Sequence, residues 1–309
     1  MKNTVFLFSG QGSQYVGMGR EIVESFPQLK SIYDAASEII GFDLAEKCWN
    51  GTEEELSQTI VSQPAIMATS LVAYDAAVLS DITCSAAAGH SLGEYAAMVA
   101  SGILTLEDGF RVIKARAEAM QKAAENSHGA MCAVMGKSAA EIEEICSSID
   151  GYVVPVNYNS PSQIVIAGEI EAVDKAAEKF TELGAKAIKL KVTAAFHSKL
   201  MQPAADEFAE AIKVITFNKP QYKFYSNLIG GELTDFTDMP QKLAKHIVSP
   251  VKFTDELNAL YAQDYTKFVE LGPNKVLTGL VKKTIKDVTA VNIEDMKTLE
   301  KAIQSAANA

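Results

Sequence analysis

The pentapeptide Gly89-His90-Ser91-Leu92-Gly93 constrains this chain more than any other segment. An apolar run, Ile82 to Ala88, leads into it, and a helix-forming stretch, Glu94 to Ala100, leads out. A strand that feeds a helix through G-x-S-x-G is a nucleophile elbow: the sharp turn strains the serine backbone and lifts its hydroxyl into the open. Glycines two before and two after the serine let strand and helix approach without Cβ clashes. The helix N-terminus behind the serine favours developing negative charge. An α/β fold with Ser91 as nucleophile is therefore predicted; the competing reading is a packing turn of small residues.

A chain of 309 residues can bury a large core, as one domain with an insert or as two. The net charge of −11 argues against nonspecific nucleic-acid binding and against an anionic membrane surface. No apolar run is long enough to span a bilayer, and Val5 to Phe8 is too short for a signal peptide, so it reads as a buried strand. Cys48, Cys84, Cys132 and Cys146 form no C-x-x-C pair. They read as reduced thiols of a cytoplasmic protein, with neither a metal site nor a disulfide framework.

Helices are predicted over Tyr15 to Ile39, Ser62 to Leu79 and Leu106 to Glu125, with Phe110, Ile113, Ala117 and Met120 striping the last. After Ser127-His128-Gly129 the pattern changes. A strand at Met131 to Met135 precedes the capping box Ser138 to Glu141 and its helix. A strand pair follows at Tyr152 to Tyr158 and Gln163 to Ala167, then a helix from Ile170 ending before Gly184, then a strand at Lys186 to Val192. This β-α-β-β-α-β order predicts a ferredoxin-like subdomain, residues 128–197, inserted in a larger α/β unit of residues 1–127 and 198–309. The strands and helices that follow favour a mostly parallel sheet in that unit.

A serine hydroxyl needs a base to take its proton. Four histidines are available. His90 adjoins the serine and should point away; His128 sits in a polar loop. His246 ends a helix, where a cation is mildly favoured. His197 lies between a strand and a helix, where α/β folds place reactive side chains, and position favours it over His246 as the base. Arg116 lies near the apolar stripe of its helix and must pair with something; an internal salt bridge with Glu94 or Glu118 is the plain expectation. The loop Ser9-Gly10-Gln11-Gly12-Ser13-Gln14 fails as a dinucleotide fingerprint because Tyr15 takes the third glycine's place. It can instead offer a backbone donor to an oxyanion hole, beside that of Leu92. Gly136-Lys137-Ser138 fails as a P-loop because Met131 stands where a glycine is required.

Together these motifs resemble the malonyl-CoA:acyl carrier protein transacylases of type II fatty acid synthesis, over essentially the whole chain. The resemblance rests on Phe8 to Gln14, Gly89 to Tyr95, the Arg116 helix, Asn157-Tyr158-Asn159-Ser160-Pro161, Phe196-His197-Ser198, Ser249-Pro250-Val251 and Glu270-Leu271-Gly272-Pro273. It implies an α/β-hydrolase-like core with a ferredoxin-like insert. It implies Ser91 as nucleophile, His197 as base, and an oxyanion hole from the N–H groups of Gln11 and Leu92. It also implies Arg116 as a clamp for the malonyl carboxylate, reversing the salt-bridge expectation. Charged hydrogen bonds of about 1.5–3 kcal/mol each would give roughly tenfold to several hundredfold preference for malonyl over acetyl. Family members orient the histidine with backbone carbonyls, one usually from a glutamine three residues before Ser-Pro-Val; here that residue is His246. Phe196 is implied to narrow the acyl pocket against a 2-methyl group. Coenzyme A is then part of the substrate, no cofactor or metal is needed, and a monomer meeting an acyl carrier protein transiently is expected.

Carrier proteins of this kind are acidic, so Lys186, Lys189, Lys191, Lys199, Lys282 and Lys283 are candidates for a basic docking face. Other classes remain open from the sequence. A serine esterase or thioesterase would share the elbow but need an acidic third member, for which Asp235 and Asp238 are the nearest candidates. A polyketide malonyl loader would share all the motifs, and a docking subunit would leave Ser91 inert.

Overall fold

The computed structural model describes residues 3–126, 129–192 and 194–307; His128 lies outside them. Among the described residues ten strands form two sheets: β1 (Thr4–Phe8), β2 (Ala86–Gly89), β3 (Gly129–Met135), β4 (Val153–Ser160), β5 (Gln163–Glu169), β6 (Lys186–Lys189), β7 (Lys223–Ser226), β8 (Gly231–Glu232), β9 (Lys267–Leu271) and β10 (Thr289–Ile293). The larger sheet runs β10-β9-β1-β2-β7-β8, parallel throughout except for the β7–β8 hairpin. Its central strands, Thr-Val-Phe-Leu-Phe and Ala-Ala-Ala-Gly, are buried on both faces, as parallel strands under helices must be. Alternate residues feed different cores. Phe6, Phe8 and Ala87 join the cluster under the Thr59–Leu79 and Leu106–Asn126 helices. Val5, Leu7, Ala86 and Ala88 join a second cluster with Phe253, Leu257 and Leu280. Burying each phenylalanine contributes about 1.5–3 kcal/mol.

The smaller sheet runs β4-β5-β3-β6, antiparallel at every pairing, and lies between β2 and β7 in sequence. With the helices Ala139–Ser148 and Ile170–Glu182 it has the predicted β-α-β-β-α-β order. The Ser138 capping box is formed, and Gly184 takes the left-handed conformation (φ 78°) that ends the second helix. The helices cover one face; the other packs on Ala195, Phe196 and Leu200. Backbone bonds Val251 N→Val156 O (2.8 Å) and Tyr158 N→Val251 O (2.9 Å) join β4 to the larger unit.

Three predicted elements are corrected. Tyr15 to Ile39 is two helices, Arg20–Ser25 and Lys30–Ile40, because Gly17 and Gly19 adopt positive φ and Pro27 starts a 3₁₀ turn. The strand from Ile82 pairs only over Ala86–Gly89. The Thr59–Leu79 helix begins a turn early, so Pro64 lies inside it. The parallel strands β1, β2, β7 and β9 bring the loops after Phe8, Gly89, Ser226 and Leu271 to one edge, the carboxyl edge where open α/β sheets bind ligands.

Candidate active site

At that edge the Gly89–Gly93 turn is as tight as its sequence demands. A Cβ on Gly89 would lie 2.1 Å from the Gly93 carbonyl carbon, and one on Gly93 would lie 2.0 Å from Phe8 O. Ser91 itself has φ 52°, a left-handed conformation that costs an ordinary residue about 1–2 kcal/mol. The strain presents its hydroxyl to two side chains at once. Ser91 Oγ lies 2.7 Å from His197 Nε2, and Arg116 Nη2 donates to the same oxygen at 3.2 Å.

His197 also has positive φ (62°) and is buried. Its Nδ1 faces two backbone carbonyls, His246 O at 3.0 Å and Ser249 O at 3.2 Å. Carbonyls only accept, so Nδ1 carries the proton and Nε2 is left with a lone pair for the serine hydroxyl. Asp235 and Asp238 are exposed, and Asp235 pairs with Lys242 at 2.8 Å, so neither acts as an acid on His197. Burial, with Arg116 nearby, pulls the His197 imidazole down to about 3. The neutral ring is then the resting form well below the ordinary histidine value of about 6.5. Single-turnover acylation is therefore expected to hold its rate from about pH 8 to about pH 5; a loss with midpoint near 6.5 would contradict a depressed His197.

Arg116 is 1% exposed, on the Leu106–Asn126 helix, with its guanidinium 5.2 Å over the Tyr95 ring. Among the described residues no carboxylate lies within ion-pair distance of it, and its Nε has no hydrogen-bond partner. The expected bridge to Glu94 or Glu118 is absent. Glu94 turns instead toward Asn227 N and lies 3.6 Å from His246 Nδ1. Burial pushes its carboxyl up to about 8. An ion-sized charge left buried without its counter-ion is costly, and beside a serine hydroxyl it is suited to an incoming carboxylate.

His246 corrects another expectation. It is not a helix-end cation; the residue is 1% exposed, its ring tilted against His197 at 5.2 Å between centroids. Burial, with His197, Arg116 and His90 nearby, holds it well below the usual histidine range. Its carbonyl, not its ring, faces His197 Nδ1. His90 points away from the serine, as its place on the turn requires, and its Nε2 meets Asn159 Oδ1 at 2.7 Å.

Gln11 follows β1 and Leu92 opens the helix after β2. Among the described residues no acceptor meets the backbone N–H of either. Gln63, from the Thr59–Leu79 helix, donates to Gln11 Oε1 at 3.4 Å. Phe196 is half-buried between the two units. The candidate docking lysines are all exposed but scattered: Lys189 pairs with Asp174 at 2.7 Å, Lys199 sits 4.1 Å over the Tyr152 ring, and Lys282 and Lys283 end a different helix. Ser249, Asn227, Glu256 and Gln63 escaped the sequence reading as site residues. Asn227 had a signal: it is the first residue past a parallel strand that neighbours the elbow strand.

A half-buried serine on an elbow, hydrogen-bonded to a histidine and beside an arginine with no carboxylate partner among the described residues, defines an acyl-transfer site, and residues 5–306 match the acyl transferase domain family. Within that class the chain belongs to the malonyl CoA-acyl carrier protein transacylase family. It is 38% identical over 309 residues to the protein of that name from Bacillus subtilis (strain 168), covering 99% of this chain and 98% of the relative. The crystal structure of the transacylase from Clostridium perfringens superposes with TM-score 0.94 at 37% identity, covering 99% of this chain and 97% of that one. A malonyl-transacylase solved in complex with a type II PKS acyl-carrier protein superposes with TM-score 0.93 at 34% identity, covering 98% and 99%.

Proposed function

We propose that this enzyme moves a malonyl group from malonyl-CoA to the phosphopantetheine thiol of an acyl carrier protein, supplying fatty acid elongation. The observation that carries the reading is the buried Arg116, without a carboxylate partner among the described residues, 3.2 Å from Ser91 Oγ. Ser91 Oγ attacks the thioester carbonyl while its proton passes to His197 Nε2. The oxyanion is held by the N–H groups of Gln11 and Leu92, the C–S bond breaks, and His197 returns the proton to the departing coenzyme A thiolate. The carrier thiol then gives its proton to His197 and attacks the malonyl ester; the C–O bond to Ser91 breaks, and His197 returns the proton to Ser91 Oγ. The His246 and Ser249 carbonyls keep His197 in the tautomer both half-reactions need. Phe196 narrows the acyl pocket.

Coenzyme A is thus part of the substrate, and no cofactor enters. Residues 1–127 and 198–309 form the larger catalytic unit, which carries Ser91 and Arg116, and 128–197 the inserted subdomain, whose last residue is the base His197; the division is supported by the two separate sheets. The enzyme works as a cytoplasmic monomer. A hydrolase is disfavoured because His197 leans on carbonyls rather than on an acid. Service to a polyketide carrier is the second reading, favoured by the likeness to the carrier-bound polyketide transacylase.

The test is transfer from malonyl-CoA in the presence of holo-carrier protein. Malonyl thioester on the carrier is the expected product; free malonate as the main product would contradict the reading. Charge reversal of Lys189 and Lys191 is expected to raise the KM for carrier protein several-fold while leaving kcat alone. An unchanged KM would remove both from the docking face.

A further inference from the structure

We propose that Asn227 is a positioning residue that sets the nucleophile's turn, an inference that rests on Ser91 being the nucleophile. Asn227 is fully buried, one residue past β7, and its side chain reaches under the elbow. Its Nδ2 donates to Gly89 O at 2.7 Å, and its Oδ1 accepts from Ser91 N at 2.6 Å. One carboxamide thereby ties both peptide groups that flank His90, the last carbonyl of the elbow strand and the serine's own N–H. Its second Nδ2 hydrogen goes to Glu256 Oε2 at 2.8 Å, and its backbone N–H donates to Glu94 in the first turn of the helix that follows the elbow.

Only a carboxamide carries two donors and an acceptor in one plane. Aspartate would keep the acceptor and lose both donors; alanine would lose all three. The clamp matters because Ser91 is held at φ 52°. Once the Ser91 N–H is released, the His90–Ser91 peptide can relax toward an ordinary conformation, carrying Oγ away from His197 Nε2 and Arg116 Nη2 together. The same bond has a second consequence. With its N–H committed to Asn227, Ser91 cannot donate to an oxyanion, which leaves that work to Leu92 and the Gln11 loop. Arg116 rides on another helix and is untouched by the clamp.

The test compares wild type, Asn227→Ala and Asn227→Asp by two single-turnover rates per folded molecule: malonylation by malonyl-CoA and phosphonylation by a fluorophosphonate. Both rates are expected to fall together by roughly tenfold to hundredfold in Asn227→Ala. Asn227→Asp should fall less, because the acceptor for Ser91 N–H survives. The KM for malonyl-CoA and the malonyl-to-acetyl ratio should not move. Variants that melt earlier but react at the wild-type rate would overturn the proposal. Should alanine prevent folding, amide exchange at Ser91 in the wild type decides: slow exchange is expected, and exchange at the rate of an open loop would overturn it. A wild type that forms no Ser91 adduct would remove the nucleophile reading and the proposal with it; a wild-type adduct with unimpaired variants would remove the proposal alone.

Discussion

Ser91→Ala is expected to lower malonyl transfer by about 10⁴- to 10⁶-fold, the range for deleting the nucleophile of a serine acyl-transfer site. No other side chain in the cluster can replace it. His197 is neutral and hydrogen-bonded at both nitrogens, to Ser91 and to backbone carbonyls, and Arg116 is cationic. His197→Ala should cost nearly as much, and the double variant little more than either, because serine and base act as one unit. Steady-state transfer to carrier protein checks all three. Independent, multiplying losses would show that the 2.7 Å contact between them is not the working one.

Arg116→Ala is expected to remove the malonyl preference rather than the chemistry. The kcat/KM for malonyl-CoA should fall roughly tenfold to several hundredfold, the worth of one or two charged hydrogen bonds, while acetyl-CoA is spared or improved. Arg116→Lys should restore little, since a point charge cannot match the planar fork that meets a carboxylate with two parallel bonds. Competition between malonyl-CoA and acetyl-CoA gives the ratio directly. A parallel loss for both acyl groups would mean that Arg116 supports the fold or orients Ser91, and that its missing carboxylate partner is not the substrate.

The elbow was legible in the sequence because its constraint is local. Two glycines at fixed spacing, an apolar run before and a helix after dictate the turn, and the Cβ clashes at Gly89 and Gly93 show why nothing larger fits. His197 was legible from its place between strand and helix. The ferredoxin-like insert was legible because its capping box and Gly184 punctuate it clearly. Short, polar elements were missed: Thr52 and Glu55 form the same capping box as Ser138 and Glu141, but the helix they open is only Glu53–Ser57. Strand β10 was missed because Thr-Ala-Val-Asn-Ile offers little apolar alternation.

What supports the site was hidden for a different reason. Asn227 meets Ser91 across 136 positions of sequence, and Glu256 meets Asn227 across 29. No period or spacing records such contacts; they exist only once β7 lies beside β2. Arg116 misled for a related reason. A buried arginine ordinarily implies a carboxylate in the same chain, and the local candidates Glu94 and Glu118 were at hand. Glu94 instead turns to Asn227 and His246, leaving the guanidinium without a carboxylate partner among the described residues. His246 looked like a helix-end cation, but its side chain is buried against His197 and only its carbonyl reaches that ring's Nδ1.

The central claim is a malonyl ester on Ser91 held by Arg116, and intact-mass spectrometry after brief incubation with malonyl-CoA tests it most directly. Wild type should gain one malonyl group that maps to the Ser91 peptide, Ser91→Ala should gain none, and Arg116→Ala should gain it far more slowly. A malonyl group that persists in Ser91→Ala, or a wild type that releases free malonate without ever carrying the adduct, would contradict the account.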